Sequence, residues 1–400
     1  MEINSKLSSN LWKYYLFTSL AKFSFYTPII QLFYLANNIT IFKIAILGMV
    51  WSITRLILEI PSSILADRWG RKKTILLSFL FAVFQIITLI IVTEYWGFLI
   101  ASVCSAASFA FFSGTDIAFF YDNLKVLKRE KEFDKLWARQ EIYQQIPLII
   151  AFVSSGFLFN LYPTLPFQLS LIFLLASVIV IITLKEPSYH QPIGEKSIFF
   201  HFKQSTNFIF NNSSLKSLLI FTIIFSIGSD LSYGYGQIYL KQLSLPLVLF
   251  GIVYTFKSLL VTFSANFAPL LRRRFSDGLL LFYQMFSITI LLLVMVIAKN
   301  YILGTIGFIL IAIPYGLFMI TKSTYIHDRI ESNHRATVDS IFSFLIALTL
   351  LVVEPVFGYL ADQYSIKMPL FIIVIILFVY CFYFLFYEYK RFNSPLDQKV

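Results

Sequence analysis

Long apolar stretches separated by short polar segments make up most of this chain. An α-helix needs about 20 mostly apolar residues to cross a hydrocarbon core of roughly 30 Å, and the stretches have this length. They do not alternate polar and apolar residues, as the strands of a membrane barrel do. The pattern predicts an all-α integral membrane protein with twelve transmembrane helices. The predicted spans are 11–35, 43–66, 74–94, 97–121, 141–160, 166–185, 215–240, 247–270, 278–298, 301–326, 337–361 and 369–388.

The predicted spans repeat within the chain. Spans that start at residues 11, 43, 141 and 166 recur at 215, 247, 337 and 369, an offset of roughly 203 residues. Parallel internal repeats are one way in which membrane proteins are built from two halves. The pattern therefore predicts two six-helix pseudo-repeats, at 1–186 and 215–400, joined by a cytoplasmic linker at 187–214.

The linker has an amphipathic pattern. Its apolar residues fall on one helical face, while lysine and amide side chains fall largely on another; the apolar residues are Ile198, Phe199, Phe202, Ile209 and Phe210. This favours a short helix that lies on the cytoplasmic leaflet. A solvated linker with some apolar residues is the alternative.

Composition and charge placement support a membrane location. Hydrophobic residues make up 58% of the chain and charged residues 13%, whereas soluble domains carry about 25% charged residues. The net charge of +11 could suggest a nucleic-acid partner, but the basic residues border the apolar stretches. Most of them fall in alternate loops, and the positive-inside rule then places both termini in the cytoplasm. The first apolar stretch lacks a cleavage-site pattern, so we expect a retained span.

Cysteine and histidine usage argues against several kinds of chemistry. Cys104 and Cys381 each fall inside a predicted span, so we expect no disulfide framework and no thiolate metal site. The four histidines do not cluster and lie in cytoplasmic segments, so we expect no metal, no cofactor and no intramembrane enzyme. A phosphate-binding glycine–lysine loop is absent from the sequence, which disfavours coupling to ATP.

A polar motif between the second and third spans resembles that of a known protein family. The segment Ser63-Ile-Leu-Ala-Asp67-Arg68-Trp-Gly70-Arg71-Lys72-Lys73 resembles the cytoplasmic loop motif G-x-L-A-D-R-x-G-R-K of the major facilitator superfamily. Ser113 to Asp116, Tyr121-Asp122 and Lys185-Glu186-Pro187 also resemble bacterial members. The resemblance implies a transporter that works by alternating access. It also implies a gating cluster formed by Asp67, Arg68, Gly70, Arg71 and Asp122.

Physical chemistry gives this loop a structural reason. Gly70 tolerates the backbone angles of a tight turn, and Arg71 offers a guanidinium to a carboxylate such as Asp122. Asp67 can accept hydrogen bonds from the turn or from a helix N-terminus. We assign Asp116, near the end of its span, to the same cluster. The alternative is that the basic residues only fix topology, which fits Lys72 and Lys73 better than Asp67.

The resemblance points to the drug-efflux-like branch, in which proton-coupled export by antiport is common. However, Phe98–Ala110 contains no arginine, and the fifth span has Pro147 with a lone Gly156 in place of G-P-x-x-G-G. These departures argue against export, but on the resemblance alone we expect a secondary active transporter that exports small organic solutes. The alternatives are proton-coupled uptake of a small anionic or zwitterionic solute, or a non-transporting membrane sensor. We expect a multi-pass monomer in the cytoplasmic (inner) membrane, with lipid, a small solute and protons as its partners.

We assign seven ionisable residues to the membrane interior, where each should face a cavity or a partner. They are Lys22, Arg55, Glu59, Asp116, Asp230, Lys257 and Glu354. Glu59, Asp230 and Glu354 are candidates for proton coupling, and Asp230 is preferred.

Two ion pairs are predicted within the spans. Arg55 and Glu59 share a helix face because they are four residues apart, so a structural pair competes with a coupling role for Glu59. Asp230 and Lys257 lie at equal predicted depth and could pair. Lys22 has no partner in its own helix. An unpaired cation there favours an anionic substrate, but a carboxylate from another helix is an equal alternative.

Residues 229–239 concentrate polar, aromatic and glycine residues within the seventh span. A stretch that can bend and that offers hydroxyl groups is the best candidate for a substrate wall. The predicted cavity residues are Lys22, Arg55, Tyr233, Tyr235, Gln237 and Lys257. Pro314-Tyr315-Gly316 is a weaker candidate, since a helix kink explains it equally well.

Overall fold

The computed structural model describes residues 2–187, 209, 212–330 and 332–392. Within these ranges every regular element is a helix, and eleven helical segments are long and apolar enough to cross a membrane. The predicted all-α membrane architecture is confirmed. The linker helix predicted near residues 198–210 falls, except for Ile209, outside the described residues.

The chain separates into two compact units. The first comprises Met1–Ile193 with Leu247–Ile252, and the second comprises Gly194–Pro246 with Val253–Val400. Between residues 2 and 187, the helices are α1 (Glu2–Ala21), α2 (Ile30–Ala36), α3 (Ile41–Trp69), α4 (Arg71–Ile91), α5 (Tyr95–Phe112), α6 (Thr115–Val126), α7 (Phe133–Leu161) and α8 (Leu165–Ile182). In this unit α4 packs against α5 and α8, and α3 packs against α5.

The first predicted span is not one helix. α1 ends at Ala21, and a 3₁₀ turn at Thr27–Ile29 leads into α2. The ring of Pro28 would clash with the carbonyl four residues earlier in a continuous helix. The main-chain N–H of Phe25 instead donates to Ser170 Oγ at 2.9 Å. The prediction of a single helix over 11–35 is therefore wrong, whereas each of the other eleven predicted spans corresponds to a membrane-spanning segment.

The helices between residues 212 and 392 belong to the second unit, apart from the start of α11. They are α9 (Ser213–Gly234), α10 (Gly236–Gln242), α11 (Leu249–Ala265), α12 (Ala268–Arg272), α13 (Asp277–Ile297), α14 (Tyr301–Leu310), α15 (Ala312–Arg329), α16 (Ser332–Gln363), α17 (Lys367–Tyr383) and α18 (Tyr389–Phe392). Here α13 packs against α14, α15 and α17, and α9 packs against α16 and α17.

Glycines mark two further helix breaks that position side chains. The fourth span is interrupted at Gly114, whose φ of +79° favours glycine, and α6 begins directly after it. The seventh span is interrupted at Tyr235, between α9 and α10. A Cβ atom on Gly236 would lie 2.3 Å from Phe308 Cε2, so the glycine lets the Phe308 ring pack on the backbone.

Candidate functional site

The turn between α3 and α4 depends on Gly70. Its φ is +99°, a left-handed value that other residues rarely adopt. A Cβ atom at this position would also lie 2.9 Å from the carboxylate carbon of Glu186. Backbone conformation and space both require glycine here, as the sequence motif predicts.

Glu186 holds the first turn of α4. Its carboxylate accepts hydrogen bonds from the main-chain N–H groups of Arg71 (2.7 Å) and Lys72 (2.8 Å). These N–H groups have no partner inside the helix, and a negative charge at a helix N-terminus is favourable. The Nζ of Lys72 donates to the carbonyl of Ile182 (2.7 Å) and links the same two segments. Sequence reasoning missed this role, because Lys185-Glu186-Pro187 was recognised only as a family resemblance.

Arg71 and Asp122 form the ion pair expected from the sequence. Arg71 Nη1 lies 2.5 Å from Asp122 Oδ2, and the two side chains are 20% and 7% exposed. Next to this pair, Asn10 Nδ2 donates to Asn123 Oδ1 (2.6 Å) and to the carbonyl of Lys185 (2.8 Å). The start of α4 is thus bonded to α6 and to the segment after α8. Whether the pair gates transport stays a prediction.

Asp67 and Arg68 stand apart from these contacts. Both side chains are exposed, and neither forms an ion pair or a side-chain hydrogen bond within the described part of the chain. The structure therefore brings together Gly70, Arg71 and Asp122 of the predicted gating cluster, and does not bring Asp67 and Arg68 to them.

A cavity of about 430 Å³ lies within the first unit, which we call the first cavity. Its walls combine three charged groups, three glutamines, several hydroxyl groups and aromatic rings. The polar and aromatic lining residues include Lys22, Tyr26, Trp51, Ser78, Gln85, Ser105, Ser108, Asp116, Trp137, Gln140, Glu141, Gln144 and Ser170. The Oε1 atom of Gln140 is buried and lacks a hydrogen-bond partner among the described residues. The cavity thus offers an unused acceptor to a solute.

Both helix breaks of this unit contribute a charge to the first cavity. Lys22 lies in the unwound segment after α1, and Asp116 lies in the first turn of α6, two residues after Gly114. The two side chains are within electrostatic range of each other. The sequence assignment of Asp116 to the gating cluster is wrong, because the turn at Gly114 directs it to the cavity. Lys22 shares the cavity with carboxylates from other helices, which was the second of its two alternatives.

Arg55 and Glu59 do not pair. The guanidinium carbon of Arg55 lies 4.6 Å from the ring centre of Phe109 and 5.7 Å from that of Trp51. Glu59 is exposed, and within the described residues it forms no ion pair. The predicted pair is absent because Arg55 stacks on two aromatic rings of the first cavity's wall. Neither Arg55 nor Glu59 lines that cavity itself.

A second cavity, of about 380 Å³, lies within the second unit. It is lined by Ser229, Asp230, Tyr233, Lys257, Ser258, Val261, Thr262, Ile311, Ala312 and Tyr315. Lys257 is only 4% exposed, and its Nζ has no hydrogen-bond partner within the described residues. The ammonium group lies 3.5 Å from the ring centre of Phe308 and 5.3 Å from that of Tyr233.

Asp230 and Lys257 line the same cavity without forming an ion pair. Asp230 Oδ1 accepts a hydrogen bond from Ser229 Oγ at 3.1 Å, while Lys257 lies over the aromatic rings. The predicted pair is therefore wrong for this structure. The prediction compared only the depths of the two residues along their helices, and depth does not show that the Lys257 side chain turns towards Phe308.

Two other charged side chains interact electrostatically with Asp230. Glu354 of α16 and Lys322 of α15 are both within electrostatic range of its carboxylate. The structure thus brings together two of the three carboxylates proposed for proton coupling, and Glu59 is in the other unit. Sequence reasoning missed Lys322, because it was counted among the cytoplasmic basic residues that border the tenth span.

Only part of the predicted substrate wall, residues 229–239, lines the second cavity. Tyr233 lines the second cavity, whereas Tyr235 and Gln237 are buried and do not. The ring of Tyr235 packs on Phe357 with 4.5 Å between ring centres. The helix is interrupted at Tyr235, so Gln237 belongs to a separate helical segment from Tyr233. Tyr315, from the weaker candidate segment, does line the cavity.

A second ionic cluster holds the turn between α12 and α13. Arg272 forms two bonds to the carboxylate of Asp277 (2.8 and 3.1 Å) and one to Asp328 Oδ2 (2.9 Å). Arg329 lies 3.8 Å from Asp277. Like the Arg71–Asp122 pair of the first unit, this cluster lies at the turn between the second and third spans of its unit. Here the acid Asp277 begins the third span, whereas in the first unit the basic residue Arg71 does. Sequence reasoning assigned these arginines only a topological role.

Solved structures share this fold. A structure of a mutant of the nucleoside transporter NupG superimposes with a TM-score of 0.81, at 13% identity, over 95% of this chain and 99% of the other. A D-xylose-proton symporter superimposes with a TM-score of 0.70, at 10% identity, over 97% of each chain. At these identities the likeness shows the fold alone.

Sequence comparison gives the family. The chain is 25% identical over 234 residues to an uncharacterized MFS-type transporter, YxaM, of Bacillus subtilis (strain 168); the match spans 57% of this chain and 58% of the relative's length. The sequence profile described as Major Facilitator Superfamily matches residues 15–352, which is most of the chain. The chain therefore belongs to the Major Facilitator Superfamily.

Proposed function

We propose that this protein is a secondary active transporter that moves small organic solutes across the cytoplasmic membrane by alternating access, coupled to protons. The observation that carries the proposal is that membrane-spanning helices direct charged side chains into a cavity in each unit. An ionisable residue at the centre of a membrane costs about 2.5–3.5 kcal/mol or more. A helix bundle does not need charged residues at this depth in order to fold, whereas the binding of a solute or an ion in the middle of the membrane does need them.

The size and lining of the cavities support small polar or amphipathic solutes. The first cavity presents amides and hydroxyl groups beside the aromatic rings of Trp51 and Trp137, and the second presents hydroxyl groups beside Tyr233 and Tyr315. Pockets of a few hundred Å³ with few polar groups on mainly apolar walls suit small organic ligands. The nucleoside and D-xylose transporters that share the fold carry solutes of this size class.

Proton coupling is supported by the acidic residues of the second unit. Asp230 and Glu354 are close enough to interact, and neither forms an ion pair within the described residues. Repulsion between two carboxylates in a poorly hydrated site is relieved when one of them binds a proton. A site of this kind can gain and lose a proton as its access to water changes, which is what coupling requires. Asp230 is the preferred carrier because it also lines the cavity.

The direction of transport is proposed as export, from the resemblance to efflux proteins. Proton-coupled uptake is the second candidate, and the buried cation Lys257 favours an anionic or zwitterionic solute for it.

The test is accumulation of labelled nucleosides, pentoses, amino acids and organic acids in cells with and without the protein, repeated after an uncoupler collapses the proton gradient. We expect at least one compound whose accumulation depends on the protein and loses that dependence with the uncoupler. Lower accumulation in expressing cells indicates export, and higher accumulation indicates uptake. A dependence that survives the uncoupler contradicts proton coupling, and no dependence for any compound contradicts the transport proposal.

A further inference from the structure

We infer that Lys257 is an anion-binding residue and that the second cavity takes a solute bearing a single carboxylate. The inference deepens the proposed function and rests on it for the statement that the bound solute is transported. The binding of a carboxylate in the second unit does not depend on whether the solute is transported.

The inference starts from the burial of Lys257 without a partner. Lys257 lines the second cavity, its side chain is 4% exposed, and its Nζ has no hydrogen-bond acceptor within the described residues. Removing an ammonium group from water is costly, and the attraction of two aromatic rings offsets only part of that cost. An anion that enters the cavity would supply the missing acceptor and stabilise the ammonium form of Lys257.

Geometry keeps the ammonium group from the acid in the same cavity. Phe308, over which Nζ lies at 3.5 Å, packs against the backbone of α10 because Gly236 has no side chain. Tyr233 provides a second ring at 5.3 Å. Lys257 is thereby held on aromatic faces, while Asp230 is bonded to Ser229. The cation remains available to a ligand instead of being neutralised by its neighbour.

The remaining lining residues narrow the class of anion. The hydroxyl group of Ser258 stands on the helix that carries Lys257 and can donate to a carboxylate oxygen. Asp230 places a negative group in the same cavity, which disfavours multiply charged anions such as phosphate. The rings of Tyr233 and Tyr315 suit an apolar or aromatic body. These features favour a small monocarboxylate, either an organic acid or an amino acid whose ammonium group is near Asp230.

Binding to purified protein tests the inference without a proton gradient. The probes are lactate, 3-phenylpropionate and phenylalanine, each compared with its own amide at equal ionic strength, and the readout is thermal stability titrated with ligand. The variants are Lys257→Met, Lys257→Arg and the control Lys241→Met, which changes an exposed lysine of the same unit. We expect at least one acid to stabilise the wild type and Lys241→Met more than its amide does. The apparent Kd should rise at least tenfold in Lys257→Met and less in Lys257→Arg.

Three results would overturn the inference: acids and amides that act alike, an acid effect that survives in Lys257→Met, or no effect of any acid. If Lys257→Met does not fold, Lys257→Gln replaces it, and an acid effect that survives unchanged in Lys257→Gln contradicts the site. Protein-dependent transport of uncharged solutes, together with no acid effect on the purified wild type, would overturn the carboxylate site while leaving the proposed transport function intact.

Discussion

Glu186 closes the first turn of the helix that begins at Arg71, although the two residues are 115 positions apart in the chain. The carboxylate bonds two main-chain N–H groups of α4, and it occupies the space that a side chain at Gly70 would need. The loop motif is thus fixed from the end of α8 as well as by its own residues.

We expect Glu186→Ala to destabilise the protein by about 1–2 kcal/mol, because two N–H groups of a helix N-terminus lose their acceptor. The control is Glu94→Ala, since Glu94 precedes α5 without capping it through its side chain. Thermal unfolding of the purified variants measures the difference. Equal stability of the two variants would show that water replaces the carboxylate without cost.

Arg71→Ala should slow transport and lower stability by on the order of 3 kcal/mol, because it removes a guanidinium group from the largely buried carboxylate of Asp122. Asp67→Asn should slow transport with little change in stability, since Asp67 is exposed and lies outside the hydrogen-bonded cluster. Arg68→Ala is the stability control for an exposed arginine of the same loop. Transport rates in vesicles at equal insertion decide the gating role, which is wrong if both Arg71→Ala and Asp67→Asn transport at the wild-type rate.

Asp230→Asn should abolish accumulation driven by a pH step in vesicles while downhill solute exchange survives, because the variant cannot bind and release the coupled proton. Glu59→Gln is the matched control: its carboxylate is exposed, and we expect it to retain proton-driven accumulation. If Asp230→Asn still accumulates solute after a pH step, the coupling role passes to Glu354 or Glu59.

Gly236→Ala should weaken binding of the carboxylate probes and cost about 1–3 kcal/mol of stability through overpacking. The new Cβ would meet the Phe308 ring at 2.3 Å and the Tyr254 hydroxyl at 2.9 Å, so the ring under Lys257 has to move. Gly234→Ala is the control two residues earlier, where a Cβ has no neighbour within 4 Å. Ligand titrations that are the same in both alanine variants would contradict the link between Gly236 and Lys257.

Because Asp230 and Lys257 share a cavity without forming an ion pair, their neutralisations should couple only weakly. In a double-mutant cycle of Asp230→Asn and Lys257→Met, the coupling energy should stay below about 3 kcal/mol, the cost of breaking a buried ion pair. A double variant clearly more stable than the sum of the single changes would restore the ion pair expected from the sequence.

The sequence predicts the spans well because apolar length reflects a constraint on each helix by itself. Breaks within the spans are harder to predict from the sequence, because a few residues mark them within long apolar runs. These residues are Ser24 and Pro28 in the first span and Gly114 in the fourth. The breaks nevertheless decide that Lys22 and Asp116 reach one cavity. The pairing of side chains is hardest, because it depends on rotation about the helix axis and on distant partners. Depth along the helix correctly brought Asp230 and Lys257 to one cavity, but it did not reveal that Phe308 lies beneath the ammonium group.

The two ionic clusters respond differently to dissolved salt. Asp328, the outer partner of Arg272, has 54% of its side chain exposed, whereas Asp122, the partner of Arg71, has 7%. Dissolved ions weaken ion pairs between exposed charges, with a Debye length of about 10 Å at 0.1 M ionic strength, and they screen enclosed pairs much less. A rise in ionic strength therefore weakens the Arg272–Asp328 bond while the enclosed Arg71–Asp122 and Arg272–Asp277 bonds persist, so salt loosens the contact between the α12–α13 turn and α15 and leaves the turn itself intact.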